Sequence, residues 1–257
     1  MQEFTLTGHG SNNQPFSLTM EIVMNAFEQN HTPQAIAVAG VEARATFITR
    51  TYLHLLGAIL GFTLVEIYLF SSGLAFEIAR IMFGISWLLV LGGFVLVSWL
   101  ASRVAHSAQS LVAQYAALAG FVVAEAIVFV PLLVLAMAYS DNSVIESAAL
   151  VTLLGFTGLT AVVYYTRKDF SFLGGVLRWA GIGALLLIVA GAIFGFQLGT
   201  FFSVGMVVLA GAAILYDTSN VLYNFREDRH VAASLELFAS VALMFWYVLR
   251  LFMASRD

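Results

Sequence analysis

Residues 110–138 read SLVAQYAALAGFVVAEAIVFVPLLVLAMA, with Glu125 as the one charged side chain. A helix of about 20 residues, rising ~1.5 Å each, crosses the hydrocarbon core of a bilayer. This stretch is long enough to span with residues to spare. Further apolar segments lie at about 50–71, 82–101, 147–166, 172–196, 200–222 and 233–253. Hydrocarbon offers no partner to an open strand edge, so helix is the form expected for all of them. The fold class is therefore all-α, a polytopic membrane protein with seven transmembrane helices. Composition agrees: 61% of the chain is hydrophobic and 10% charged, against roughly 25% charged in a soluble domain.

Polar breaks separate the segments at Ser71-Ser72-Gly73, Arg103–Ser107, Ser140-Asp141-Asn142, Arg167-Lys168-Asp169, Gly195–Thr200 and Asn224–His230. The break at Gly195–Thr200 is the weakest, which leaves six spans plus a re-entrant piece as the alternative. Residues 1–45 are polar and hold Pro15 and Pro33. They read as a flexible cytosolic tail, with a short amphipathic helix near Leu18–Phe27 as the other reading. The domain division is thus a tail over 1–45 and a transmembrane domain over 46–257. The start lacks a basic segment followed by a continuous apolar one, so the first span is expected to act as an uncleaved anchor.

Orientation follows from the basic residues. With seven spans, one side carries Arg44, Arg50, Arg103, Arg167, Lys168, Arg178, Arg226 and Arg229, and the other Arg80, Arg250 and Arg256. The excess predicts a cytosolic N-terminus and an outside C-terminus, in the cell's inner (plasma) membrane. The net charge of −4 and the scattered basic residues exclude a nucleic-acid surface. No cysteine is present, and the five histidines show no metal-ligand spacing. Phosphate-loop, dinucleotide and nucleophile-elbow motifs are absent, so nothing points to an enzyme, a firm metal site or a resident cofactor. The small-residue pairs Gly57/Gly61 and Gly191/Gly195, with Gly155 and Gly158, read as helix-packing surfaces.

Four carboxylates fall inside the expected spans: Glu66, Glu125, Asp217 and Glu236. A charged side chain in hydrocarbon costs several kcal/mol unless neutralised, paired or hydrated, and such groups face the bundle interior. They are the candidate functional residues, with Glu125 near mid-span and Glu66 toward the outer end. For Glu66, a carboxylate reaching out to the interface is the competing reading. Asp217 and Glu236 lie at the inner ends of consecutive helices and are expected to approach each other. The structural alternative pairs them with Arg226, Arg229 or His230. Asp217, Asn220 and Asn224 share one helix face, as do Glu236 and Ser240. Pro131 is expected to kink the third span beside Glu125.

Arg167-Lys168-Asp169-Phe170-Ser171-Phe172-Leu173-Gly174-Gly175, Ile214-Leu215-Tyr216-Asp217-Thr218-Ser219-Asn220, and the run from Leu235 through Ser240 to Arg250 resemble motifs of the Bax-inhibitor family. The resemblance covers about residues 46–257, and Ala254–Asp257 is similar to the bacterial YccA-like branch. It implies seven helices with the seventh at the centre. In family members that act as pH-sensitive calcium leaks, it implies an Asp in the sixth helix facing an Asp in the seventh. Asp217 matches the first, and Ser240 aligns with the second. Glu236, one turn away, is a candidate replacement for the missing carboxylate. On this reading Asp217, Glu236 and Ser240 form the gate, Glu125 and Glu66 line a cavity, and Ca2+ is a transient occupant. The YccA-like branch implies a different role, that of an interaction protein modulating the membrane-anchored protease FtsH. Of the two expectations, protease modulation ranks ahead of the leak.

Overall fold

The computed structural model describes residues 35–139 and 143–255, without the Tyr139 side chain. The tail reading for residues 1–34 lies outside the described residues. Helices are the regular elements throughout: α1 Val41–Ser71, α2 Leu74–Gly84, α3 Trp87–Ser107, α4 Leu111–Tyr139, α5 Ser143–Thr166, α6 Leu173–Phe194, α7 Thr200–Tyr223 and α8 His230–Ala254. All but α2 are long and apolar enough to cross a membrane, which makes seven candidate spans. The Gly195–Thr200 break is a real helix end. Gly195 closes α6 at φ 75°, a left-handed turn open to glycine at no steric cost. The helices on either side, α6 and α7, are each long and apolar enough to span, which favours seven spans over the re-entrant alternative.

Three boundaries differ from the sequence reading. The first helix begins at Val41, ahead of the expected boundary at 46. The segment before it is tied down, since the Ile36 amide donates to the Phe225 carbonyl at 2.8 Å and Ile36 is fully buried. Arg44 closes the same corner by donating to the Ile36 and Ala37 carbonyls. Residues 103–107, expected as a break, are the last turn of α3. Their polarity marks where that helix leaves the apolar slab, not where it stops. The short helix α2, entered through Gly73 at φ 80°, has no counterpart among the expected segments.

The helix α8 is the axis of the bundle. It packs against α1, α3, α4, α5 and α7, whereas α6 lies at the periphery against α7. Its first turns explain this place: Val231, Ala232 and Ala233 are fully buried, as are Ser234 and Leu237. Small side chains let neighbouring backbones come close, which is how helices gain packing where lipid supplies no hydrophobic drive. Farther along, Phe129 of α4 meets Phe245 and Trp246 of α8 at centroid distances of 5.4 and 5.0 Å, and Phe62 of α1 at 5.1 Å. The helix α4 runs unbroken through Pro131.

The glycines expected to form packing surfaces divide: Gly61 and Gly155 face neighbouring helices, and Gly57 and Gly158 do not. A Cβ on Gly57 would meet nothing, and one on Gly191 would meet the loop at Phe196. The close approaches are at Gly155 and Gly211, each 3.3 Å from a packed side chain, and at Gly174, where a Cβ would lie 2.9 Å from the Tyr216 ring. Spacing alone does not say which face of a helix the glycines occupy.

Overpacking the axis should therefore be costly while lipid-facing changes are not. Ala233→Leu is expected to lower stability by about 1–3 kcal/mol, read as a fall in the thermal unfolding midpoint in detergent. Leu89→Ala, on the exposed face of α3, should leave that midpoint within experimental scatter.

Candidate functional site

The C-terminal ends of α3 and α7 and the N-terminal end of α8 surround an open cleft of about 640 Å³. Its walls include Asp217, Asn220, His106 and Glu236, with Arg226 and Arg229 from the α7–α8 connection. The sequence expectation that Asp217 and Glu236 share a site is met to this extent: both line one cleft.

Their partners are different groups. The Ser240 hydroxyl donates to Asp217 Oδ2 at 2.5 Å, joining α8 to α7 inside the bundle. Asp217 is 7% exposed, so this bond has little competition from water. Glu236 instead lies 2.9 Å from His106 Nε2 at the end of α3, where it is partly exposed. The His106 ring rests near Phe225, centroids 5.9 Å apart. The pairing of the two acids with Arg226, Arg229 or His230 is not what forms. Arg226 and Arg229 both pair with Asp228, and Arg229 also donates to the Ala108 carbonyl. His230 packs against His54, centroids 5.0 Å apart.

The other two carboxylates are separate from the cleft. Glu125 is buried on α4, between the turns whose rings, Phe121 and Phe129, pack against α8. Glu66 is buried too, and neither of its carboxylate oxygens has a protein partner. It points into the bundle and does not reach out to the interface.

One turn of α7 organises the surroundings. Tyr216 lies over Gly174 at the start of α6. Asp217 faces Ser240. The Ser219 hydroxyl donates to Asp169 Oδ1 at 3.2 Å and accepts from the Phe170 amide at 2.9 Å. Asn220 accepts from the Asn224 side chain at 2.8 Å. One turn on, the Tyr223 hydroxyl donates to the Arg167 carbonyl at 2.9 Å, and Arg167 itself sits at φ 50°. A non-glycine residue in that region costs of order 1–3 kcal/mol and persists where its surroundings hold it. The α5–α6 loop is thus docked on α7, and the two polar segments singled out in the sequence are contact partners in space.

Sequence reasoning did not find His106, Asp169 or Ser219 as site residues. Asp169 and Ser219 stood inside the quoted motifs, and a polar pair there was a usable signal. For His106, 130 positions from Glu236, no local pattern could have served. Among the described residues no group of three or more His, Cys, Asp or Glu side chains could hold a metal ion.

Comparison with known proteins gives four relevant matches. A family model described as "Inhibitor of apoptosis-promoting Bax1" matches residues 44–257. An uncharacterized protein of Pseudomonas aeruginosa is 36% identical over 168 residues, 63% of this chain and 72% of that one. The Escherichia coli protein named modulator of FtsH protease YccA is 36% identical over 110 residues, 41% of this chain and 49% of its own length. Bax inhibitor 1 of Schizosaccharomyces pombe is 30% identical over 122 residues, 45% of this chain and 44% of its own. The chain therefore spans about half the length of the two relatives with named functions.

The loop contact carries a pH prediction. The Ser171 amide, donating at 2.8 Å, together with the Ser171 and Ser219 hydroxyls, holds the Asp169 carboxyl below its ordinary range. A carboxylate lowered by folding adds stability above the unfolded value of about 4. It loses that contribution as pH falls through its folded value. Asp169→Ala is therefore expected to speed hydrogen–deuterium exchange at the Phe170 and Ser171 amides at neutral pH. Acidifying the wild type below its folded value should lower the protection of these amides relative to their intrinsic exchange at that pH.

Proposed function

Because the chain belongs to the Bax-inhibitor family of membrane proteins, we propose that it works by interaction, modulating the membrane-anchored protease FtsH in membrane-protein quality control. The observation that carries this reading is the state of the α7–α8 contact. Asp217 is held by a hydroxyl that cannot ionise, and the nearby Glu236 is engaged by His106. A gate made of two facing carboxylates needs like charges close enough that they cannot both ionise cheaply. Asp217 has Ser240 in that place. The partial likeness to a protein named for modulating FtsH is the second support.

In this reading the cleft end of the bundle faces the cytosol, where the excess of Arg and Lys belongs, and the C-terminus is outside. Residues 1–34 supply the segment that the protease grips, since their polar composition suits a tail that a protease can engage. The docked residues from Ala35 to Arg44 belong to the bundle, so the functional tail ends earlier than 45.

A second reading, a pH-sensitive cation leak passing Ca2+ transiently, is favoured by the acids themselves. Asp217 and Glu236 line one cleft, and Glu125 and Glu66 are buried deeper in the bundle. There Glu236 would replace the second gate acid, with His106 as its counter-charge.

Affinity-tagged chain expressed in bacterial inner membrane is expected to co-purify with FtsH and to slow degradation of a membrane substrate. Deleting residues 1–34 should remove both effects and leave the thermal unfolding midpoint unchanged. Equal recovery of the protease with and without those residues would refute the tail's part, and no recovery with the full chain would refute the partnership.

A further inference from the structure

Four hydroxyls meet between α1, α5 and α7: Tyr52 on α1, Thr160 and Tyr164 on α5, and Thr218 on α7. The Tyr52 and Tyr164 rings stand edge to face, centroids 6.2 Å apart. The Tyr52 hydroxyl faces those of Tyr164, Thr218 and Thr160 closely enough to interact with each. All four oxygens are sealed from the outside, yet none lies within direct hydrogen-bond geometry of a protein group.

Thr51, beside Tyr52, is likewise unpartnered, but several other hydroxyls of the bundle are satisfied within their own helices. Threonine in a membrane helix commonly donates to the carbonyl four residues back. Thr63, Thr152 and Thr166 do so at 2.7–2.8 Å, as does Ser98. Thr160 and Thr218 forgo that bond and aim their hydroxyls at the tyrosines. Thr218 is fully buried. It is also the exception on its own turn of α7, where Asp217, Ser219 and Asn220 each have a side-chain or backbone partner.

We propose that Tyr52, Thr160, Tyr164 and Thr218 form a water-binding site inside the bundle. Buried hydroxyls left without partners are costly, and a bound water satisfies roughly two to four polar groups at once. Each hydroxyl offers one donor and two acceptor positions, so four of them match a water on both sides of its chemistry. A cation is the poorer guest, because every oxygen is neutral and Asp217 is hydrogen-bonded to Ser240 instead. The site adjoins the turn of α7 that carries Asp217. It does not depend on which functional reading holds.

X-ray radiolytic footprinting of the full chain in lipid nanodiscs tests this, because radiolysis of a bound water marks the side chains beside it. Tyr52 and Tyr164 are expected to be modified several-fold faster than Phe129, a ring 1% exposed. A bulk radical scavenger should not slow them, although it suppresses marking of Tyr165, 89% exposed. Thr218→Val should bring Tyr52 down toward the Phe129 rate. Thr218→Ser, which keeps the hydroxyl, should preserve it and controls for folding. Marking no faster than Phe129 would mean that the hydroxyls bond one another in a dry cluster, and would overturn the proposal. Marking that the scavenger quenches as at Tyr165 would overturn it as well. A fall in marking when sodium chloride replaces N-methylglucamine chloride would assign the site to a cation instead.

Discussion

A carboxylate carried into hydrocarbon must be neutralised, hydrated or given a partner, and on α7 that partner is the Ser240 hydroxyl of α8. Much of the inner half of the bundle is arranged around this contact. The small buried residues at the start of α8 let it run close beside α7 and α1. The remaining polar side chains of the Asp217 turn are spent on other neighbours. Ser219 docks the α5–α6 loop, and Tyr216 fills the space that Gly174 leaves open. Most groups of this polar turn are satisfied locally, where an unmet one would cost about 1–3 kcal/mol; Thr218 is the exception.

The same contact separates the two functional readings. A gate of two facing acids needs a second carboxylate opposite the first, whereas here Asp217 faces a hydroxyl that cannot ionise. Glu236 belongs to the mouth of the cleft, shared with His106 and partly open to water. It touches an imidazole on α3, not the carboxylate on α7.

The spans were legible because length and hydropathy are local properties, and the five segments from residue 110 onward lie within three or four residues of the helices formed. So was the inward direction of Glu125 and Asp217, since hydrocarbon leaves them nowhere else to go. What could not be read depends on three-dimensional register. Residues 35–40 look like tail in composition, and backbone bonds to the Phe225 corner place them in the bundle. Arg103–Ser107 looks like a loop because polarity rises where a helix leaves the membrane, not only where it ends. Gly57 and Gly61 have the spacing of a packing motif, yet of the two Gly61 alone faces a neighbour, Val122. The His106–Glu236 pair needs α3 and α8 to be neighbours, which no spacing in the chain announces.

Calcium entry into liposomes carrying the purified chain and an enclosed dye, followed between pH 6 and 8, puts the central contact to the test. With Ser240 opposite Asp217, the wild type is expected to show no flux above empty liposomes, and Ser240→Asp, which restores a second acid, should produce a pH-dependent one. Flux through the wild type that Asp217→Asn abolishes would contradict the account and make the protein a leak.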